Sequence, residues 1–398
     1  MTWLECTATI SMAASFAALA AACGGKVLDL GHDTGAPAYA TRETIVSERD
    51  AGPGVPTIMA SNQYGASAIA IDETRVYWAE AGVNPQQRTE NGVVRSCAKE
   101  DCASTLITYA IEQLSVNMMV VNDTHVFWNT APINNLTRSS IVACPLAGCN
   151  GQPIGIVPGP NALRFAVDES FIYVLTYGGP MMGAVVRCPI RGCQGTPTVL
   201  ANLSHVPDEL SWSAFAIDAM HVFWIEGQDS STTSGTIMMV PKDGSAGPQA
   251  LAEGGHLVNS LAVDHGKMYW AEGYTKSTVK TCELPNCGQT VTTLAASQPY
   301  PYFVNVNGDR AYWFALTGGS LSSLLSSSGL VTLTGQIVEC PLAGGSSPLT
   351  LLASDQTSPS GLASDATHIY WTTFRDEAPL LPGGIMPAGA VKRVRRSR

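Results

Sequence analysis

Eight of the eleven cysteines fall into four pairs of identical spacing, Cys97/Cys102, Cys144/Cys149, Cys188/Cys193 and Cys282/Cys287. Thiols with four residues between them can be bridged across a hairpin, and closing so short a loop stabilises by about 2 kcal/mol on the chain-entropy estimate. Zinc favours closer spacing and needs four ligands together, so the pairs read as local disulfide staples, each within its own hairpin, formed in an oxidising compartment. Cys340 has Gly345 in the partner's place and is left as a free thiol or a surface site for an intermolecular bridge.

Three carboxylates also recur by position. Glu80, Glu226 and Glu272 each stand two residues after a tryptophan. Brought to one rim they would hold Ca²⁺ or another hard cation, with Asn117, Asn161 and Asn259 as further oxygen donors. No other cofactor is expected. His125, His221 and His368 share one slot with Arg75, Lys267 and Arg310, which marks a polar turn facing water rather than a general base. The chain has no nucleophile elbow, phosphate loop, zinc-protease helix or dinucleotide fingerprint, and thus no catalytic constellation.

The elements that position these residues are repeats. Seven segments share a short strand, an Asp or Asn turn and a second strand with an aromatic end: Ala70–Asp72 to Trp78, Val120–Asn122 to Trp128, Ala166–Asp168 to Val174, Ala216–Asp218 to Trp224, Ala262–Asp264 to Trp270, Asn305–Asn307 to Trp313, and Ala363–Asp365 to Trp371. Their turn residues lie 50, 46, 50, 46, 43 and 58 residues apart, the period of a four-stranded propeller blade. The paired aromatics fill the wedges between blades, and the Asp or Asn accepts backbone N–H bonds in its turn. A third strand precedes each cysteine pair (Gly92–Cys97 and its counterparts), and a short fourth strand ends near Leu-Ala, as at Leu251-Ala252.

The last unit lacks a fourth strand after Gly389, whereas Ile58–Ala60 resembles a fourth strand without a blade. Ala60 precedes Asp72 by the same 12 residues that separate Ala252 from Asp264 and Ala353 from Asp365. The expected fold is therefore all-β, a seven-bladed β-propeller of four-stranded antiparallel blades spanning residues 57–398, its last blade closed by the N-terminal strand.

Residues 1–23 read as an export signal. An apolar run, Ile10–Ala22, leads to Ala20-Ala21-Ala22-Cys23, which resembles a lipoprotein cleavage site with Cys23 as the lipidated residue and membrane anchor. Residues 24–56 read as a tether. The net charge of −10 and the pI near 5.1 exclude a phosphate backbone as a partner of the main body; Lys392, Arg393, Arg395, Arg396 and Arg398 are charges of a solvated terminus.

The segments Met268-Tyr269-Trp270 and Ile369-Tyr370-Trp371-Thr372 resemble YWTD and NHL-type propeller repeats. Cys144–Cys149 and Val186–Cys193 resemble secreted or lipid-anchored propellers of soil myxobacteria. The resemblance covers residues 57–398 and implies the fold. The connections between second and third strands vary in length, from Thr176–Met182 to Phe314–Thr334 and Thr372–Ala388, and share one face with the glutamates. Constant framework beside variable loops is the pattern of a binding surface. The expected function is an exported, membrane-anchored scaffold of the cell envelope that binds a protein, glycan or envelope component through that face. The alternative is a Ca-type hydrolase or lactonase acting at the channel mouth through Glu80, Glu226 and Glu272.

Overall fold

The computed structural model describes residues 55–80, 92–113, 116–130, 139–157, 162–177, 183–193, 196–204, 214–227, 234–273, 277–318, 333–342, 349–374 and 388–397. They form seven four-stranded antiparallel sheets. Six sheets take their strands in chain order, beginning with blade 1 (Ala66–Ile71, Arg75–Glu80, Gly92–Ala98, Ile107–Gln113). The seventh combines Pro359–Ser364, His368–Thr373 and Gly389–Arg395 with Thr57–Gln63 from the other end of the chain. Thr57 pairs with Arg393 and Gln63 with Gly389, so the ring closes through main-chain hydrogen bonds. Each innermost strand touches the innermost strand of the next blade, round to Pro359–Ser364 against Ala66–Ile71.

Local chemistry sets the first hairpin of each blade. Asp72 Oδ1 accepts from the amides of Thr74 and Arg75, both at 2.7 Å, and Asn122, Asp168, Asp218 and Asp365 repeat the arrangement. Blade 5 turns instead on His265-Gly266, both at positive φ, the two-residue loop that suits the right-handed twist of a hairpin. The second strands are buried along nearly their whole length. Trp78, Trp128, Trp224, Trp270, Trp313 and Trp371 are all fully buried between blades.

The four cysteine pairs are disulfide-bonded: Cys97–Cys102, Cys144–Cys149, Cys188–Cys193 and Cys282–Cys287, with Cα separations of 4.7 to 5.4 Å. Each lies where a third strand turns toward a fourth. In blade 5 the turn includes one helical turn, Cys287–Thr290. Each disulfide closes its own hairpin and also packs against the preceding blade. Cys102 is buried, and with Cys97 it packs in a cluster with Met59, Ala363 and Tyr370 of blade 7. Cys193 and Cys287 are likewise buried against blades 2 and 4, and Cys149 packs against the cluster of blade 1. The bond draws each turn toward the preceding blade, where the apolar sulfurs leave water. The disulfides therefore fill seams as well as closing loops.

Cys340 is a free thiol, but a buried one packed with Tyr269 and Trp313 between blades 5 and 6; enclosure pushes its pKa up and removes it from any surface bridge. The fourth strands also run beyond the expected Leu-Ala end, as in Gln249–His256 and Thr350–Thr357. Register shifts in the pairing carry them past Ala252 and Ala353.

Candidate functional site

The propeller has two faces. The turns between first and second strands and the disulfides share one, here the staple face. The connections from second to third strands and from fourth strands to the next blade share the other, the loop face.

On the loop face the three glutamates do not converge. Each is buried in its own blade seam and reaches back to the end of the preceding blade's fourth strand. Glu80 accepts from the Tyr64 amide at 3.2 Å and pairs with Arg95 at 3.1 Å. Glu272 accepts from the Gly255 amide at 2.7 Å, from Trp270 Nε1 at 2.8 Å and from Lys280. Glu226 accepts from the amide and hydroxyl of Ser204. Among the described residues no three His, Cys, Asp or Glu side chains form a group that could hold a metal ion. Asn117 bonds Asn129 and Asn259 donates to Pro301 O, while Asn161 lies outside the described residues.

These carboxylates belong to a seam layer that the sequence did not reveal. In four seams the tryptophan N–H donates to a glutamine 15 residues earlier, at the end of the preceding blade: Trp78 to Gln63 (2.8 Å), Trp128 to Gln113 (3.0 Å), Trp313 to Gln298 (3.2 Å) and Trp371 to Gln356 (3.1 Å). Each glutamine is aimed by its own amide, which donates to the carbonyl two residues back, and follows a residue at positive φ (Asn62, Glu112, Ser297 or Asp355). At Trp270 the place of the glutamine is taken by Gly255. A Cβ there would lie 2.3 Å from the Glu272 carboxyl carbon, so glycine makes room for the carboxylate that replaces the amide. The constant spacing between Gln and Trp was the available signal.

A second layer lies at the start of the innermost strands. Ser67 donates to Val116 O of the next blade, Ser139 to Ala162 O (3.0 Å), Asn259 to Pro301 O (3.0 Å), Tyr302 to Pro359 O (3.0 Å) and Ser360 to Ala66 O (2.6 Å). Side chains thus satisfy carbonyls where main-chain pairing begins.

The staple face carries a third layer, repeated in every blade. The residue two positions after the disulfide-bearing site donates its amide to the first hairpin turn of its own blade, as in Lys99 N to Thr74 O (2.9 Å) and Arg396 N to Thr367 O (3.0 Å). Its side chain then reaches the aromatic of the preceding blade. Leu146 joins the cluster of Tyr77, Ile190 that of Phe127, Leu284 that of Phe223 and Leu342 that of Tyr269. In the other three seams the residue is a cation over a tyrosine ring: Lys99 over Tyr370, Lys242 over Tyr173 and Arg396 over Tyr312. Both lysines also reach the preceding turn carboxylate, Lys99 to Asp365 at 2.7 Å and Lys242 to Asp168 at 2.9 Å. For each aspartate, burial works to raise the carboxyl, but the lysine and the turn amides outweigh it and hold the pKa below the usual carboxylate range.

The basic tail is part of this layer. Arg393 is buried and donates to Lys99 O at 2.6 Å, and Arg396 grips Asn307 and Asp309 of blade 6. The slot expected to face water is likewise occupied in part. His368 is buried, Arg75 reaches Ser96 and Thr105, and Arg310 pairs with the fully buried Glu339 at 2.7 Å. Second-strand pairing lays these side chains against the third strand rather than into solvent. A cleft of about 690 Å³ opens among blades 6, 7 and 1 beside Arg310, His368 and Arg396, whose side chains are already bonded to Glu339, Thr367 and Asp365 O respectively.

Most of the variable loop residues, including 81–91, 319–332 and 375–387, lie outside the described residues, as do Cys23, the signal segment and the tether up to residue 54. Among the described residues no helix is long and apolar enough to cross a membrane.

No family model and no curated protein matches the chain. Among solved structures, the computationally designed Ika8 protein is similar at 14% identity and a TM-score of 0.50, over 84% of this chain and 98% of that one. The tricorn protease is similar at 10% identity and a TM-score of 0.54, over 81% of this chain. The match spans 33% of the tricorn chain. Likeness at this identity concerns the fold alone.

Proposed function

We propose that the protein is an exported, envelope-anchored scaffold whose loop face binds a partner, with no reaction of its own. The observation that carries this reading is how the polar side chains are used. Glu80, Glu226, Glu272, Asp168 and Asp365 accept hydrogen bonds from across a seam, a framework role. Hydrogen bonding on both faces supports a rigid ring, and a rigid ring beside loops of variable length suits recognition. The four disulfides fit an oxidising compartment, and Cys23 is the proposed lipid attachment site.

The test is recovery of a partner from envelope extracts by the purified protein, compared with variants shortened at 319–332 and at 375–387. Loss of the partner with either deletion, in a ring of unchanged melting temperature, is expected. Equal recovery by the shortened proteins would overturn the assignment to the loop face.

A further inference from the structure

Blade 4 departs from the repeat in two places that meet on the staple face. In its first hairpin turn, Asp218-Ala219-Met220-His221, the third residue is a methionine. The other blades place Thr74, Thr124, Ser170, Gly266, Asp309 and Thr367 there. Each of those threonines donates its hydroxyl to the Asp or Asn that opens the turn, at 2.9 to 3.1 Å. Met220 gives up that bond and is 64% exposed, more than any other large apolar side chain among the described residues. The second departure is the turn after the third strand. Where blades 1, 2, 3 and 5 carry a disulfide hairpin, blade 4 has the tight turn Pro241–Gly244, with Gly244 N donating to Pro241 O at 3.1 Å and Gly244 at positive φ.

A cleft of about 600 Å³ lies between blades 3 and 4, and one of about 350 Å³ between blades 4 and 5; Asp218 and Ala219 bound both. Ala219 is small and exposed where the turns of blades 1 to 3 carry Glu73, Asp123 and Glu169, so the two clefts run together as one groove across blade 4. Its walls are acidic. Five carboxylates line it against two cations, and both cations are spent on the seam. Lys242 holds Asp168 at 2.9 Å, and Arg187 donates to Lys242 O and stacks over the Phe171 ring at 4.7 Å. Asp218 is held by its own turn amide and Asp264 by His265 at 2.7 Å. Glu169 and Asp243 stand exposed on the rim, where Asp243 accepts from the Ser245 amide at 2.9 Å.

We propose that this groove docks an extended basic segment of a partner protein, with an aliphatic side chain over Met220 and lysine or arginine side chains toward Glu169 and Asp243. The unbranched thioether of methionine adapts to apolar side chains of different shape, which suits it to peptide-binding surfaces. The carboxylates of the rim select cations, and the net charge of −10 favours a cationic partner over a second copy of this chain. The groove lies on the face opposite the variable loops. It is therefore a second surface, independent of the loop-face reading.

Fluorescence anisotropy with the full chain and two labelled peptides tests this: hexalysine, and an octapeptide of the same six lysines with two leucines at its centre. Wild type binds the leucine-bearing peptide about fivefold more tightly, the gain from part of an aliphatic side chain leaving water. Met220→Thr removes that gain while the melting temperature holds or rises, since threonine restores the turn bond made by Thr74. Glu169→Lys with Asp243→Asn, a change of three charges, weakens both peptides about tenfold. Glu73→Lys with Glu100→Gln makes the same change of three on blade 1, and screening keeps its effect below about threefold. Equal losses from the two pairs of substitutions would show attraction to the acidic chain as a whole and overturn the proposal. So would a Met220→Thr protein that keeps the preference for leucine, or no binding of either peptide. Spermine displacing the leucine-bearing peptide at matched charge concentration would make the ligand a small polyamine and overturn it too.

Discussion

Replacing Asp365 with asparagine tests whether the staple-face clamps hold the ring shut. In the wild-type protein one carboxylate oxygen accepts from the Thr367 and His368 amides, both at 2.8 Å, and the other from Lys99 at 2.7 Å and Tyr370 at 2.9 Å. Asparagine keeps an acceptor for the turn but presents an amide to the ammonium group. Lys99 is 8% exposed and Asp365 24%, so the pair is partly shielded from solvent. Leaving a buried cation without its counter-charge costs about 3 kcal/mol, and the retained turn bonds bring the expectation to roughly 2–3 kcal/mol. The matching substitution in blade 5, Asp264→Asn, serves as the control: there the next blade sends Leu342 to the Tyr269 cluster in place of a cation, and Asp264 pairs with its own neighbour His265 at 2.7 Å. The sign of the pH dependence follows from the lowered pKa of Asp365. The clamp contributes fully above the unfolded carboxyl value of about 4 and fades as pH falls below it. Urea midpoints at pH 7 should therefore separate Asp365→Asn from wild type, and the gap should narrow below about pH 4. A midpoint at pH 7 no lower than that of Asp264→Asn, or a gap indifferent to acid, would refute the clamp.

Gln356→Ala removes the acceptor of the buried Trp371 N–H and should cost about 1–3 kcal/mol, read from urea midpoints. Gly255→Gln should destabilise by collision with Glu272, and Glu272→Thr in the same chain should recover most of the loss by reproducing the glutamine and threonine of the seams at Trp128 and Trp371; a double-mutant cycle measures the coupling. Glu80→Gln should lower the melting temperature through the lost Arg95 pair and leave the metal content unchanged, whereas elemental analysis finding a stoichiometric ion that disappears in this variant would contradict the seam role. Replacing Cys97 and Cys102 by serine should cost at least about 2 kcal/mol, since the seam with blade 7 loses buried sulfur along with the closed loop; the melting temperature falls, and reducing agent lowers it no further at that blade.

The blades, their closure and the disulfides were legible because each is written within one repeat. Strand, Asp turn, aromatic pair and cysteine spacing recur locally, and the 12-residue offset from Ala60 to Asp72 exposed the orphan strand. The seams were not legible, because each joins two repeats. Gln356 means nothing beside its own neighbours and acquires its role only when blade 7 places Trp371 against it. Spacing pairs Cys102 with Cys97, yet nothing near it says that it will pack against Tyr370. Lys99 and Asp365 are 266 residues apart. Glu80, Glu226 and Glu272 were read as one rim because they share a position in the repeat. A shared position on a ring turns each side chain to its own neighbour instead of toward a common centre. The outer half of the candidate site was unreadable for another reason: its loops follow no repeat.

Thr57–Gln63 and Gly389–Arg395 are hydrogen-bonded neighbours although the strands of six whole blades lie between them in the chain. At about 5–20 residues per second, the first waits on the order of 15–70 s before the second exists. No chain interrupted before Gly389 can reach the finished state, however well its early blades fold. Synthesis as far as Arg395 is thus written into the architecture as a precondition, and the ladder between these two strands certifies that every intervening blade has been made.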